Sequence, residues 1–162
     1  MNSGIPVIRA MHADDREAVI DLIQALNRHE DAITGDRPTD RAAAIQCLAR
    51  DEARAAETGG TLLVAEAAGR VLGFLALAIE PGMPFIRPEL RRHGHVMELV
   101  VAEAARGRGI GSALLAEAER LTRAAGCRAM LIGVVAGNAG AEALYRRTGF
   151  RPYALEMLKR LD

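Results

Sequence analysis

The stretch Glu98-Leu99-Val100-Val101-Ala102-Glu103-Ala104-Ala105-Arg106-Gly107-Arg108-Gly109-Ile110-Gly111-Ser112 decides how this chain is read. It has the pattern of an apolar strand, a glycine-rich turn carrying two arginines, and the start of a helix. Beyond it, Ala113, Leu114, Leu115, Ala118, Leu121 and Ala125 recur at the spacing of one helical face. A strand–turn–helix of this kind aims several backbone N–H groups at one point before a helix N-terminus, where the helix dipole also favours an anion. Gly107, Gly109 and Gly111 are expected to supply positive φ and to leave no Cβ between the amides and a bound oxygen. Arg106 and Arg108 add charge-assisted donors suited to phosphate oxygens. The stretch is therefore predicted to cradle a phosphate.

Spacing narrows whose phosphate it is. A P-loop requires a lysine directly after its glycines, and Lys159 is the only lysine in the chain. A Gly-x-Gly-x-x-Gly dinucleotide fingerprint fails too, because the third position falls on Ser112 or Leu114. The turn also lies too late to leave room for a doubly wound domain. What remains is Arg-x-x-Gly-x-Gly, met by Arg106, Gly109 and Gly111, which a plain strand-to-helix turn would also satisfy.

A second block changes that balance. Asn138-Ala139-Gly140-Ala141-Glu142-Ala143-Leu144-Tyr145-Arg146-Arg147-Thr148-Gly149-Phe150 reads as a short helix with an Asn start and a Gly stop, with Ala141, Leu144, Tyr145 and Thr148 on one face. Together the two blocks resemble the hallmark motifs of the GNAT superfamily of acetyl-CoA-dependent N-acetyltransferases: Arg/Gln-x-x-Gly-x-Gly/Ala, then Asn-x-x-Ala-x-x-Leu-Tyr-x-x-x-Gly-Phe. The resemblance runs from about residue 5 to the end, as one N-acetyltransferase domain over 5–162, with the specific motifs confined to 95–153. It implies an α/β fold: a central twisted, mostly antiparallel sheet, helices on both faces, and a splay between the fourth and fifth strands. It departs from the family at Glu103, where a proline is common; the glycine spacing is unaffected.

Composition agrees with such a domain. Half of the 162 residues are apolar, with no Trp and few aromatics, so a core of Ala, Leu, Val and Ile is expected. Formal net charge is zero, which argues against nucleic acid as a partner. The balance is uneven: eleven Asp/Glu face six Arg between His12 and Glu57, against thirteen Lys/Arg and seven Glu between Arg87 and Arg160. Either these are solvated helix faces, or the basic half receives an anionic cofactor and the acidic half a cationic acceptor. Cys47 and Cys127 lack any metal spacing, so no metal is expected and reduced thiols in a cytoplasmic protein are. The longest apolar run, Val71 to Ile79, is too short for a bilayer, and Arg9, Asp14 and Asp15 precede any signal-like core.

Along the chain, Ile5 to Ala10 reads as a strand. A helix opens on Asp14 with Glu17 and ends near Arg28, and Thr39 caps a second that stops at Gly59-Gly60. Thr61–Ala67 and Arg70–Glu80 form a hairpin about Ala68-Gly69. Pro81, Pro84 and Pro88 mark a loop too proline-rich for strand or helix. His95 to Ala102 is the central strand, Arg128 to Val135 another, and Tyr153 to Leu161 a last one. The order β-α-α-β-β-β-α-β-α-β is that of a mixed sheet with helices on both faces.

The resemblance implies transfer of acetyl from acetyl-CoA to a primary amine of a small molecule or peptide, by direct attack in a ternary complex. Arg106, Gly107, Arg108, Gly109, Ile110, Gly111 and Ser112 would hold the pyrophosphate. Backbone groups of Val100 and Val101 would pair with the pantetheine arm, an N–H near Leu99 or Val100 would bind the oxyanion, and Asn138 would lie near the thioester. Only roughly one alkylamine in a few thousand is unprotonated at pH 7, so a base is useful. Glu98 and His95 are the candidates, and Glu30 is a candidate holder of the ammonium. Tyr145 aligns with the family's general acid, against a packing role on the same helix face. The Arg-rich loop with Arg87, Arg91 and Arg92 could bind an acceptor carboxylate or the 3′-phosphate, and the acceptor stays open. A homodimer is expected, because the segment after Phe150 is short for closing the sheet.

Overall fold

The computed structural model describes residues 6–161; Ile5, where the first strand was expected to begin, and residue 162 lie outside them. The elements run β1 (Val7–Ala10), α1 (Arg16–Thr34), α2 (Arg41–Thr58), β2 (Thr61–Ala67), β3 (Arg70–Glu80), α3 (Pro88–Arg91), β4 (His93–Val101), α4 (Ile110–Ala124), β5 (Met130–Ile132) and α5 (Ala139–Arg147). One sheet has the order β1-β2-β3-β4-β5, antiparallel throughout except for the parallel pair β4–β5.

Period-two alternation sorts the central strands between two cores. Leu63, Leu75, Leu77, Ile79 and Val96 pack against Ile110, Leu114, Leu115 and Ala118 of α4. Val64, Phe74, Ala76 and Val100 face Val19, Ile20 and Ile23 of α1 with Ala44 and Leu48 of α2 on the other side. Burial of each large side chain here contributes about 1.5–3 kcal/mol. The run from Val71 to Ile79 is apolar because β3 is covered on both faces. Glycine permits α4 to approach: a Cβ at Gly94 would lie 2.2 Å from Thr122 Oγ1.

Several boundaries differ from the sequence expectation for local reasons. Asp15, not Asp14, braces the start of α1, accepting the His12 N–H at 2.7 Å and both Arg9 terminal nitrogens at 2.7 and 2.9 Å. The helix continues past Arg28 to Thr34, where Gly35 closes it at φ 67°. Asp40, not Thr39, caps α2 by accepting the Ala43 N–H at 2.9 Å. The proline loop contains one helical turn because Pro88 sits at its start, where no N–H is required. The strand over 128–135 shrinks to Met130–Ile132. Tyr153 to Leu161 forms no strand: residues 151–161 are exposed and pair with no ladder. Among the described residues no helix is long and apolar enough to cross a membrane.

Candidate active site

The cleft exists because β4 and β5 part. They pair only through Gly94↔Met130, His95↔Leu131 and Val96↔Ile132, whereas β4 runs on to Val101. This is the splay expected between the fourth and fifth strands. The wedge between them is lined by Leu26 and Glu30 of α1, Met97, Glu98 and Leu99 of β4, Val134 and Val135 beyond β5, and Asn138, Ala141 and Tyr145 of the α5 region.

A β-bulge sets which groups face the wedge. Leu77 pairs with Val96 but Ala76 pairs with Glu98, so Met97 is an extra residue on β4. The insertion reverses the alternation, so Val96 joins the α4 core and Val100, four residues on, the α1/α2 core. Glu98 is thereby carried to the α1/α2 face, where Arg50 of α2 donates to it at 2.9 Å. The backbone follows. Ala102 N–H donates to Leu72 O at 2.8 Å, so by alternation Val100 also points into the β3 ladder. Leu99 and Val101, not Val100, therefore present N–H and C=O to the open edge, and Val101 O accepts from Arg106 Nε at 3.3 Å.

The glycine-rich turn lies at the end of this edge. A short 3-10 turn, Glu103–Ala105, leads to Gly107 at φ 74° and Gly109 at φ 79°, the residue preceding α4. The N–H groups of Gly107, Arg108 and Gly109 meet no acceptor among the described residues. Those of Ile110, Gly111 and Ser112 are the free first-turn amides of α4, whose start carries no side-chain cap. Nothing lies within 4 Å of where a Cβ would project at Gly107 or Gly109, leaving the amides accessible. Gly111 differs from expectation. It is helical, and a Cβ there would come within 2.8 Å of Leu144 Cδ2, so its role is the close packing of α5 on α4.

Glu98 sits among charges. Burial first, then the neighbouring Asp51, push its carboxyl up to about 7, against the pull of Arg50. Asp51 is fully buried; its Oδ1 accepts from Arg50 Nη2 at 2.8 Å, while Oδ2 has no partner among the described residues. Burial raises that carboxyl as well. Tyr145 projects from α5 against the α4 core, its ring 6.0 Å from that of Phe150 in an edge-on arrangement. Burial, with Glu30 and Glu98 nearby, raises its hydroxyl to about 12. Asn138 caps α5, its Oδ1 accepting the Ala141 N–H at 3.2 Å.

The wedge thus brings together Glu30, Glu98, Leu99, Asn138 and Tyr145. Glu30 is paired with Arg37 at 3.1 Å. His95 is not part of the wedge lining; burial lowers its pKa although Glu80 opposes this. Much of the acidity of the first two helices is neutralised where it stands, by Arg16 on Glu52, Arg41 on Asp21, and Arg54 on Glu57. Sequence reading passed over Arg50 and Asp51. A signal for them was present: Asp51 continues the buried stripe Ala44, Leu48, Ala55 of α2, where a carboxylate is out of place.

The profile of the acetyltransferase (GNAT) family matches residues 22–150, most of the chain. The chain belongs to that family. Among its GNAT relatives, an IAA acetyltransferase of Azospirillum brasilense is 33% identical over 138 residues, covering 83% of this chain and 78% of the relative. A mycothiol acetyltransferase of Pseudarthrobacter chlorophenolicus is 32% identical over 108 residues, 63% of this chain but only 30% of that longer protein. The fold matches a GCN5-related N-acetyltransferase from Ralstonia eutropha with a TM-score of 0.73 at 27% identity, covering 96% of this chain and 98% of that one. An aminoglycoside N-acetyltransferase in complex with CoA shares the GNAT fold at a TM-score of 0.66 and 18% identity, with 96% and 99% coverage.

Proposed function

We propose that this chain transfers acetyl from acetyl-CoA to a primary amine by direct attack within a ternary complex. The observation that carries the reading is the splay itself: an unpaired β4 edge, with free amides at its far end and Glu98 and Tyr145 in its lining. The amides of 107–112, with Arg106 and Arg108, suit a diphosphate. The N–H and C=O groups of Leu99 and Val101 suit the amide-bearing pantetheine arm, which would pair as an added strand. Leu99 N–H, next to the bulge, is the donor we assign to the developing oxyanion.

Glu98 accepts the proton from the attacking ammonium, directly or through water; a carboxyl near 7 is poised for this at neutral pH. The neutral nitrogen then forms the N–C bond, and the C–S bond breaks. Tyr145 donates a hydrogen bond to the departing sulfur. Its hydroxyl near 12 stands well above an ordinary thiol near 8.5, so complete transfer would cost about 5 kcal/mol. The proton that ends on sulfur is therefore the second one, shed by the nitrogen as the adduct collapses and relayed with Tyr145 held neutral, while the first passes from Glu98 to water. Glu30 stands where it could orient the ammonium, although Arg37 already engages it.

The test is acetyl-CoA turnover across a panel of small amines and N-terminal peptides, read by thiol release. Release with at least one class of amine is expected. CoA binding without thiol release for every amine would favour a non-catalytic CoA-binding module instead.

A further inference from the structure

We propose that the acceptor is an α-amino acid, its ammonium held at Glu98 and its carboxylate taken by Arg50; this names the substrate class of the acetyl transfer proposed above and rests on that reading. Arg50 stands in the middle of α2 with 61% of its side chain exposed, and the wedge-lining Glu98 accepts from its Nη2 at 2.9 Å. Asp51 grips one edge of the same guanidinium: its Oδ1 accepts from Nε at 3.1 Å and from Nη2 at 2.8 Å. Successive residues of a helix diverge by about 100°, so the arginine bends back over its own helix to make this contact.

What remains is Nη1, which makes no hydrogen bond among the described residues. It shares the guanidinium carbon with the nitrogen bound to Glu98. A ligand whose amine meets Glu98 therefore finds free charged donors directly beside it. An ammonium and a carboxylate on one carbon match that spacing, and a guanidinium is well shaped for carboxylate oxygens. The arrangement also gives Asp51 a use. A fully buried carboxylate with Oδ2 unpartnered among the described residues is costly for a helix to carry. Here it holds Arg50 in place, and a side chain already held loses less entropy when a ligand arrives. Asp51 is a positioning residue, acting on the acceptor only through Arg50.

The other anchors are occupied. Of the loop arginines, Arg91 donates to Pro84 O and Ile86 O, and Arg92 to Ala125 O. A polyamine fits this mouth poorly, since Arg50 contacts Glu98, Arg37 adds positive charge near it, and Glu30 is already paired with Arg37.

The test measures thiol release from acetyl-CoA with aliphatic, aromatic, acidic and basic L-amino acids, each beside its carboxamide, and with spermidine. The carboxamides are the less basic amines, so the supply of free amine alone favours them. The best acid should nevertheless exceed its amide about 10–100-fold in kcat/KM, the effect of one charged hydrogen-bond partner. Arg50→Gln should bring that ratio to about one, and Asp51→Asn should cut it about 3–10-fold. The ratio does not depend on how much of a variant is folded, so lost packing cannot imitate the effect. Acids no better than their amides, spermidine outpacing every acid, or a ratio that survives Arg50→Gln would overturn the proposal. If no amine releases thiol, acetyl transfer falls by itself and calorimetry on the CoA-loaded protein decides the acceptor site. Acid binding that is lost in Arg50→Gln upholds the site; no binding, or binding indifferent to the substitution, removes it.

Discussion

Replacing Glu98 by Gln should make the protein more stable in alkaline solution and a poorer catalyst. The carboxyl is held near 7 against an ordinary value of 4.5, because it is desolvated and close to Asp51. The native state therefore keeps this proton after the unfolded chain has lost it, so stability falls as pH rises from about 4.5 to about 7 and is level beyond. The full displacement corresponds to about 3 kcal/mol. Only 17% of the side chain is exposed, so little of this is screened, but Asp51 shares the same arginine; about 1.5–3 kcal/mol is the working range. Glutamine keeps the shape and removes the charge. Arg50, 61% exposed, gives up an ion pair worth under about 1 kcal/mol. Melting curves of both proteins at pH 5, 6, 7 and 8 should nearly coincide at pH 5 and separate by roughly 3–10 °C at pH 8, the variant higher. In the same variant kcat/KM should drop by about 10²–10⁴-fold, and the rise of rate through pH 7 should disappear. A variant that melts lower at pH 8, or parallel pH profiles for the two proteins, would refute the desolvated carboxyl. An unchanged rate would take the base away from Glu98.

Three further substitutions probe the other parts. Gly109→Asp should weaken CoA binding at least tenfold by calorimetry, because a carboxylate would stand before amides that await a phosphate; Gly109→Ala, with open space ahead of it, should cost only backbone strain of about 1 kcal/mol in stability. Equal CoA affinity in both variants and the parent would remove the cradle. Tyr145→Phe should lower kcat about 10–100-fold with KM for acetyl-CoA little changed, whereas a purely packing role would leave kcat intact. Asp15, held near 2 by Arg9, supports α1 only while ionised: its contribution is present above pH 4 and is lost as pH falls toward 2. Asp15→Asn should therefore lower stability by about 1–2 kcal/mol at pH 7, a difference that shrinks to nothing near pH 2 in urea titrations.

Where local chemistry decides, the residues were legible. The Ala68-Gly69 hairpin, the helix stop at Gly59 and the Asn138 cap follow from φ preferences and short-range hydrogen bonds, and each stands where it was expected. The exchange of Thr39 for Asp40 and of Asp14 for Asp15 shows the limit of that reasoning. Neighbouring polar residues are nearly equal as caps, and the choice falls to geometry set by the next element.

The sequence by itself determined the family, the strand–turn–helix with its glycines and arginines, and the runs that became α1, α2, α4 and the hairpin β2–β3. All of these rest on interactions between residues close in the chain. The tertiary structure alone decided the bulge at Met97, and with it that Glu98 meets Arg50 and Asp51 and that Leu99 and Val101 face the cleft. One inserted residue reverses a period of two, and only pairing with β3 reveals it. The fate of Tyr153–Leu161 is of the same kind: alternation marks a strand, but a strand needs an edge, and that edge belongs to the assembled sheet.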